Sequence, residues 1–140
     1  DLQPMSDVSH TFVADLKQLA RDSDALILAA AADKAEAIIN AQVLQALGKG
    51  GYLINVARGK LVNEDDLVAA LASGEIAGAA LDVFVDEPNV PQALFDNEHV
   101  VLQPHRASAT LQTRTRMGEM VVASLVDSFA GKIPQGCVTG

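Results

Sequence analysis

Three side chains in this 140-residue sequence suit chemistry on an anionic carbonyl compound: Arg58, Glu87 and His105. A guanidinium clamps a carboxylate through two parallel hydrogen bonds. An imidazole gives or takes a proton near neutral pH. A glutamate beside it orients the ring and stabilises the protonated form. Taken singly, each has a plainer explanation. An arginine after a strand is usually a solvated surface group. A histidine that follows proline in a loop is more often surface than catalytic, and Glu87 before Pro88 reads equally well as an acidic turn. What favours a site is that all three follow apolar runs that read as strands of one sheet.

Residues 25–30 (ALILAA) and 52–56 (YLINV) are short continuous apolar runs, as expected of strands buried on both faces. Residues 76–83 (IAGAALDV) predict a third strand, whose small residues suggest a closely packed helix. Residues 99–102 (HVVL) predict a fourth. Ala57-Arg58-Gly59 follows the second strand, Asp82 to Pro88 the third, and Gln103 to Ser108 the fourth. In open parallel sheets, ligands bind outside the carboxyl ends of the strands, so these segments share one candidate edge.

Helical patterns separate the strands. Residues 12–22 place Phe12, Val13, Leu16, Leu19 and Ala20 at helical spacing, and residues 40–47 run to Gly48, with Gly50-Gly51 as a turn. Residues 63–73 give the clearest helix. Asn63 is a good N-cap, Asp66 stands three residues on as in a capping box, and Gly74 suits the C-terminal stop. A long helix is predicted from about 110 to 130, with Met117, Val121, Leu125 and Phe129 on one stripe and Gly131 as its end. Alternating strands and helices predict a doubly wound α/β layer around a parallel sheet.

Composition narrows the function classes. At 49% hydrophobic residues, disorder is excluded as a description of the chain; with 4% aromatics and no Trp, Ala, Val and Leu must fill the core. The net charge of −8 disfavours nucleic acid and anionic membranes as partners. No apolar run approaches the ~18 residues of a membrane span. The single cysteine, Cys137, allows no internal disulfide and fits a cytoplasmic setting. The start, Asp1-Leu2-Gln3-Pro4, has no Met and reads as the interior of a longer chain.

Other features are expected to be structural. Gly48-Lys49-Gly50-Gly51 lacks the ending of a phosphate loop and precedes a strand, so it reads as a helix stop. His10 and His99 read as structural or surface residues. Glu64, Asp65 and Asp66 read as helix-capping charge rather than a metal site, and Met117 and Met120 as core packing. Metal-ligand spacing of the zinc type does not occur.

The order of motifs adds a resemblance. Ile54-Asn55-Val56-Ala57-Arg58-Gly59 with Leu61-Val62-Asn63-Glu64 comes first. Gly78 to Phe84 with Asp86-Glu87-Pro88 comes next, then Pro104-His105 with Ala107-Ser108-Ala109-Thr110. In that order and spacing the blocks resemble the NAD(P)-dependent D-2-hydroxyacid dehydrogenases, and look most like glyoxylate/hydroxypyruvate reductases. The resemblance implies that residues 1–109 form the C-terminal half of a Rossmann-like dinucleotide-binding domain. Residues 110–140 would be a long helix and tail returning toward a substrate domain. It implies that Arg58 binds the substrate carboxylate and carbonyl, that His105 is the acid/base, and that Glu87 is its paired acid. Asp82 would stand near the nicotinamide carboxamide. Ala30, Ala31, Val56, Ala57 and Ala107, with Arg58 and His105, would line an NAD or NADP site. The implied reaction is hydride transfer between NAD(P)H and a small 2-oxo acid, in a homodimeric parent protein, with the piece alone inactive. The family's G-x-G-x-x-G loop is missing from these residues. Ala30-Ala31-Ala32-Asp33 replaces the usual residues after the first strand, and Arg106 replaces a usual apolar one. An alternative on the same fold is an NAD(H)-sensing corepressor-type module.

Overall fold

A computed structural model describes residues 10–30, 36–134 and 136–137, which fall into two compact units divided between His105 and Arg106. The first is an α/β unit. Its elements run α1 (Leu16–Arg21), β1 (Ala25–Leu28), α2 (Ala41–Leu47), β2 (Tyr52–Asn55), a 3-10 turn (Gly59–Leu61), α3 (Glu64–Ser73), β3 (Gly78–Leu81), α4 (Gln92–Phe95) and β4 (Val100–Leu102). The four strands are parallel and lie in the order β1-β2-β3-β4.

That monotonic order explains the layering. Every crossover steps the same way, and right-handed crossovers then deliver every helix to the same side of the sheet. Accordingly α1 contacts α2 and α2 contacts α3. Leu26, Leu28, Leu53, Asn55, Ala79 and Leu81 point into this side and are buried. Leu44, Leu53, Leu61, Leu67 and Leu94 are sealed off almost completely, and each such side chain contributes about 1.5–3 kcal/mol relative to exposure.

The opposite side corrects one expectation. The first two strands are not buried on both faces: Ile27 is 59% exposed and Tyr52 52%, and Val101, on β4 at the far edge of the sheet, is 60% exposed. A continuous apolar run shows that a strand can be covered twice, not that it is. The first residue of β3, Gly78, has a steric reason of its own to be small. A Cβ there would collide with the carbonyl oxygen of His99, the residue just before β4.

Helix ends follow capping chemistry. Asp15 accepts the N–H groups of Lys17 and Gln18, so α1 begins at Leu16 and not at Phe12. Asn40 caps α2 in the same way, and Gly48 closes it at φ 75°. Asn63 accepts the Asp66 N–H, but the capping box is only half made. The Asp66 carboxylate instead accepts the N–H of Ala41 at 2.8 Å, while the Asn63 N–H donates to Ile39 O at 2.9 Å. The acidic first turn of α3 therefore also ties neighbouring backbone, beyond its capping role.

The second unit holds α5 (Leu111–Phe129), capped by Thr110 through the Thr113 N–H. None of its residues is buried, and Met117 and Met120 are each about half exposed. They are not core packing as expected, because helical spacing defines a stripe without supplying a partner for it. Among the described residues, no helix is long and apolar enough to cross a membrane.

Candidate active site

The carboxyl edge of the sheet is built from three short turns. The first leaves β2. Asn55, its last residue, lies 1% exposed among leucines. Its Oδ1 accepts the Ala57 N–H and its Nδ2 donates to the Arg58 carbonyl, both at 3.0 Å. A buried polar side chain needs such partners, since an unmade bond there costs about 1–3 kcal/mol. The turn is thereby fixed, and the Arg58 side chain emerges exposed. Its Nη1 donates to Ala57 O at 2.7 Å, using one of five guanidinium N–H donors.

The second turn leaves β3. Asp82 is buried, and its backbone N–H donates to Asn55 O at 2.9 Å, which locks the two strand ends together. The chain then loops through Phe84 and Val85 to Glu87, which is joined to Pro88 by a cis peptide. The third turn leaves β4 and ends at His105. Here φ is +50°, in the left-handed region that residues with a Cβ seldom occupy. Such backbone costs about 1–3 kcal/mol and concentrates at functional sites.

Glu87 joins the last two turns. Its Oε1 accepts the Phe84 N–H at 3.0 Å, and its Oε2 lies 2.7 Å from His105 Nδ1. The His105 hydrogen bond, followed by the Phe84 N–H, holds the Glu87 carboxyl below its ordinary pKa; partial desolvation and the negative charge of Asp82 oppose them. With Nδ1 turned to the carboxylate, Nε2 is the ring nitrogen available to a ligand. A cavity of about 320 Å³ lies beside the pair, walled mainly by Phe84, Pro88, Val90, Phe95, Leu102 and Pro104. That volume suits a small molecule.

The structure thus brings Glu87 and His105 into contact and sets Arg58 and Asp82 at the ends of adjacent strands. Ala30 and Val56 are exposed past β1 and β2, and Ala57 is buried. Ala107 belongs to the second unit, and Ala31 and Ala32 lie outside the described residues. Asn55 went unrecognised as a working residue at the sequence level. Its signal was present: a carboxamide closing an otherwise apolar strand.

A one-layered parallel sheet with an imidazole–carboxylate pair and an arginine at its carboxyl edge defines a class. Residues 3–107 match the family described as D-isomer specific 2-hydroxyacid dehydrogenase, NAD binding domain, and the chain belongs to that family.

The chain is 44% identical over 127 residues to glyoxylate/hydroxypyruvate reductase A of Arabidopsis thaliana, a match covering 90% of this chain and 41% of that protein. It is 48% identical over 122 residues to 2-ketogluconate reductase of Gluconobacter oxydans, covering 86% and 39%. An NADPH-dependent glyoxylate/hydroxypyruvate reductase of Sinorhizobium meliloti, crystallised with citrate, superposes with a TM-score of 0.87 at 42% identity, over 99% of this chain and 44% of that one. Its complex with NADP and malonate gives 0.83 at 44% identity, over 92% and 41%. The chain therefore spans about two fifths of the length of these relatives.

Proposed function

We propose that this chain supplies the nicotinamide side of the active site in an NAD(P)-dependent 2-hydroxyacid dehydrogenase. Its substrate would be a small 2-oxo acid such as glyoxylate or hydroxypyruvate. The observation that carries this reading is the 2.7 Å contact between His105 Nδ1 and Glu87 Oε2 at the carboxyl edge of the sheet. The names of the relatives support the substrate class. The citrate and malonate of the S. meliloti structures support a site that accepts carboxylates.

The residues at this edge fit the nicotinamide end of a dinucleotide. Ala57 and Asp82 stand just past the ends of β2 and β3, and a carboxylate such as Asp82 is of a type that accepts from a carboxamide NH₂. Val56 and Ala30 would flank it. A bound nicotinamide supplies the hydride for the 2-oxo carbon. The protein's own groups do the rest. Arg58 binds the substrate carboxylate through its fork and polarises the adjoining carbonyl. His105, protonated, gives the proton at Nε2 to the carbonyl oxygen. Glu87 holds the ring by Nδ1 and offsets the positive charge before transfer.

The test is oxidation of NADH or NADPH by glyoxylate or hydroxypyruvate in the whole protein that carries this chain. Wild type should turn over, and His105→Ala should lose on the order of 10²–10⁴ in kcat. A protein that binds the cofactor but reduces neither acid nor any other 2-oxo acid would sink the reading and point to a non-catalytic NAD(H)-binding role.

A further inference from the structure

We infer that Glu64, in the first turn of α3, is a positioning residue for the Glu87–His105 pair. The inference rests on the acid–base reading given above and adds to it the group that fixes where Glu87 stands. The loop after β3 must present Glu87 to a residue 18 positions further along the chain. Two consecutive amides within that loop are each taken by a carboxylate oxygen. Glu87 Oε1 accepts the Phe84 N–H at 3.0 Å, and Glu64 Oε1 accepts the Val85 N–H at 2.8 Å. The first bond is internal to the loop. The second fastens it to a helix 21 residues away in sequence.

The helix end is itself anchored. Asn63 caps it, and Asp66 in the same turn holds the Ala41 N–H at the start of α2. Gly59 completes the seat from the other side, because a Cβ there would overlap the Phe84 carbonyl and leave no room for the loop. An acid anywhere in the first turn would serve the helix dipole. The carboxylate of Glu64 is committed instead to a charge-assisted bond with an N–H of an exposed loop residue. Removing it exposes that N–H to water without leaving it buried, so the fold should survive while the loop loses its tether.

The groups that act on Glu87 are His105, the Phe84 N–H and the Asp82 charge. A change at Glu64 therefore reaches Glu87 through the loop backbone. The test compares Glu64→Ala, Glu64→Gln and His105→Ala in the whole protein that carries this chain, with two nuclear magnetic resonance readouts: exchange of the Val85 amide hydrogen and titration of the Glu87 carboxyl carbon. Glu64→Ala should speed Val85 exchange and move the Glu87 titration upward. Glu64→Gln keeps an acceptor oxygen in place and should restore both toward wild type. A Glu87 titration that does not move in Glu64→Ala overturns the proposal. His105→Ala should move it upward as well. If His105→Ala leaves it unchanged, the pair itself fails, and the positioning role fails with it. If both alanine variants move Glu87 but the whole protein reduces no 2-oxo acid, Glu64 still positions the pair and only the catalytic reading is lost.

Discussion

Asn55 holds the backbone of the Arg58 turn from inside the sheet: its carboxamide accepts the Ala57 N–H and donates to the Arg58 carbonyl, each at 3.0 Å. The arginine is exposed, yet the backbone beneath it is fixed by one of the most deeply buried side chains in the chain. The direction in which the guanidinium leaves the sheet is thus set from the core.

Replacing Asn55 by Ala removes both bonds and strands a buried amide at Ala57. The expected loss is about 1–3 kcal/mol of stability, read as a lower urea midpoint with an unchanged slope. An unaltered midpoint would mean that the turn is held by something other than this side chain.

Arg58→Lys should be poorly tolerated in the whole enzyme. A lysine ammonium cannot reproduce a planar two-pronged contact. The KM for the 2-oxo acid should rise and kcat should fall, because one group is proposed to grip the ground state and polarise the carbonyl. Wild-type kinetics with a carboxylate substrate would remove Arg58 from the site.

Glu87→Gln keeps the shape of the side chain and removes its charge. An anionic neighbour favours the imidazolium, and reduction needs His105 protonated. Without that anion, the ring loses its charged partner, and the reduction rate at neutral pH should fall. Oxidation of the hydroxy acid needs the same ring held in place, so its rate should fall too. In wild type the Glu87 carboxyl is held below its ordinary value of 4.5. Its charge therefore persists through the neutral range and is lost only as pH falls below that value. Profiles measured in both directions should separate wild type from variant; coincident curves, with chemistry limiting the rate, would reduce Glu87 to an acidic turn.

The 140 residues by themselves should bind NAD(H) or NADP(H) weakly. The pyrophosphate of a dinucleotide rests on amides at a helix N-terminus after a glycine-rich loop. None of the ten glycines here forms G-x-G-x-x-G. Calorimetry that finds micromolar binding by this chain would show that the nicotinamide side alone carries the affinity.

The strands and the longer helices were legible because their apolar periods are strong, and Arg58, Glu87 and His105 because each stands just past an apolar run. The 3-10 turn at Gly59–Leu61 and the four-residue α4 were not, since neither is long enough to show a period. The start of α1 was read too early because Phe12 and Val13 extend the apolar spacing, whereas Asp15 decides the cap. The link from Glu64 to Val85 joins residues whose proximity only the folded sheet creates, so no local pattern announces it. The half exposure of Ile27 and Tyr52 was hidden for a related reason: the direction of successive crossovers, not the composition of a strand, decides how many sides are covered.

The uncovered side of the sheet also gives the chain a built-in optical probe. Tyr52 is its single tyrosine, and tryptophan is absent. The phenol stands about half exposed on β2, on the side away from the leucine-filled core. Ultraviolet emission from this chain therefore samples that surface far more than the core. Anything that settles on the open side should alter the signal directly, while repacking among the leucines behind it should leave the signal nearly silent.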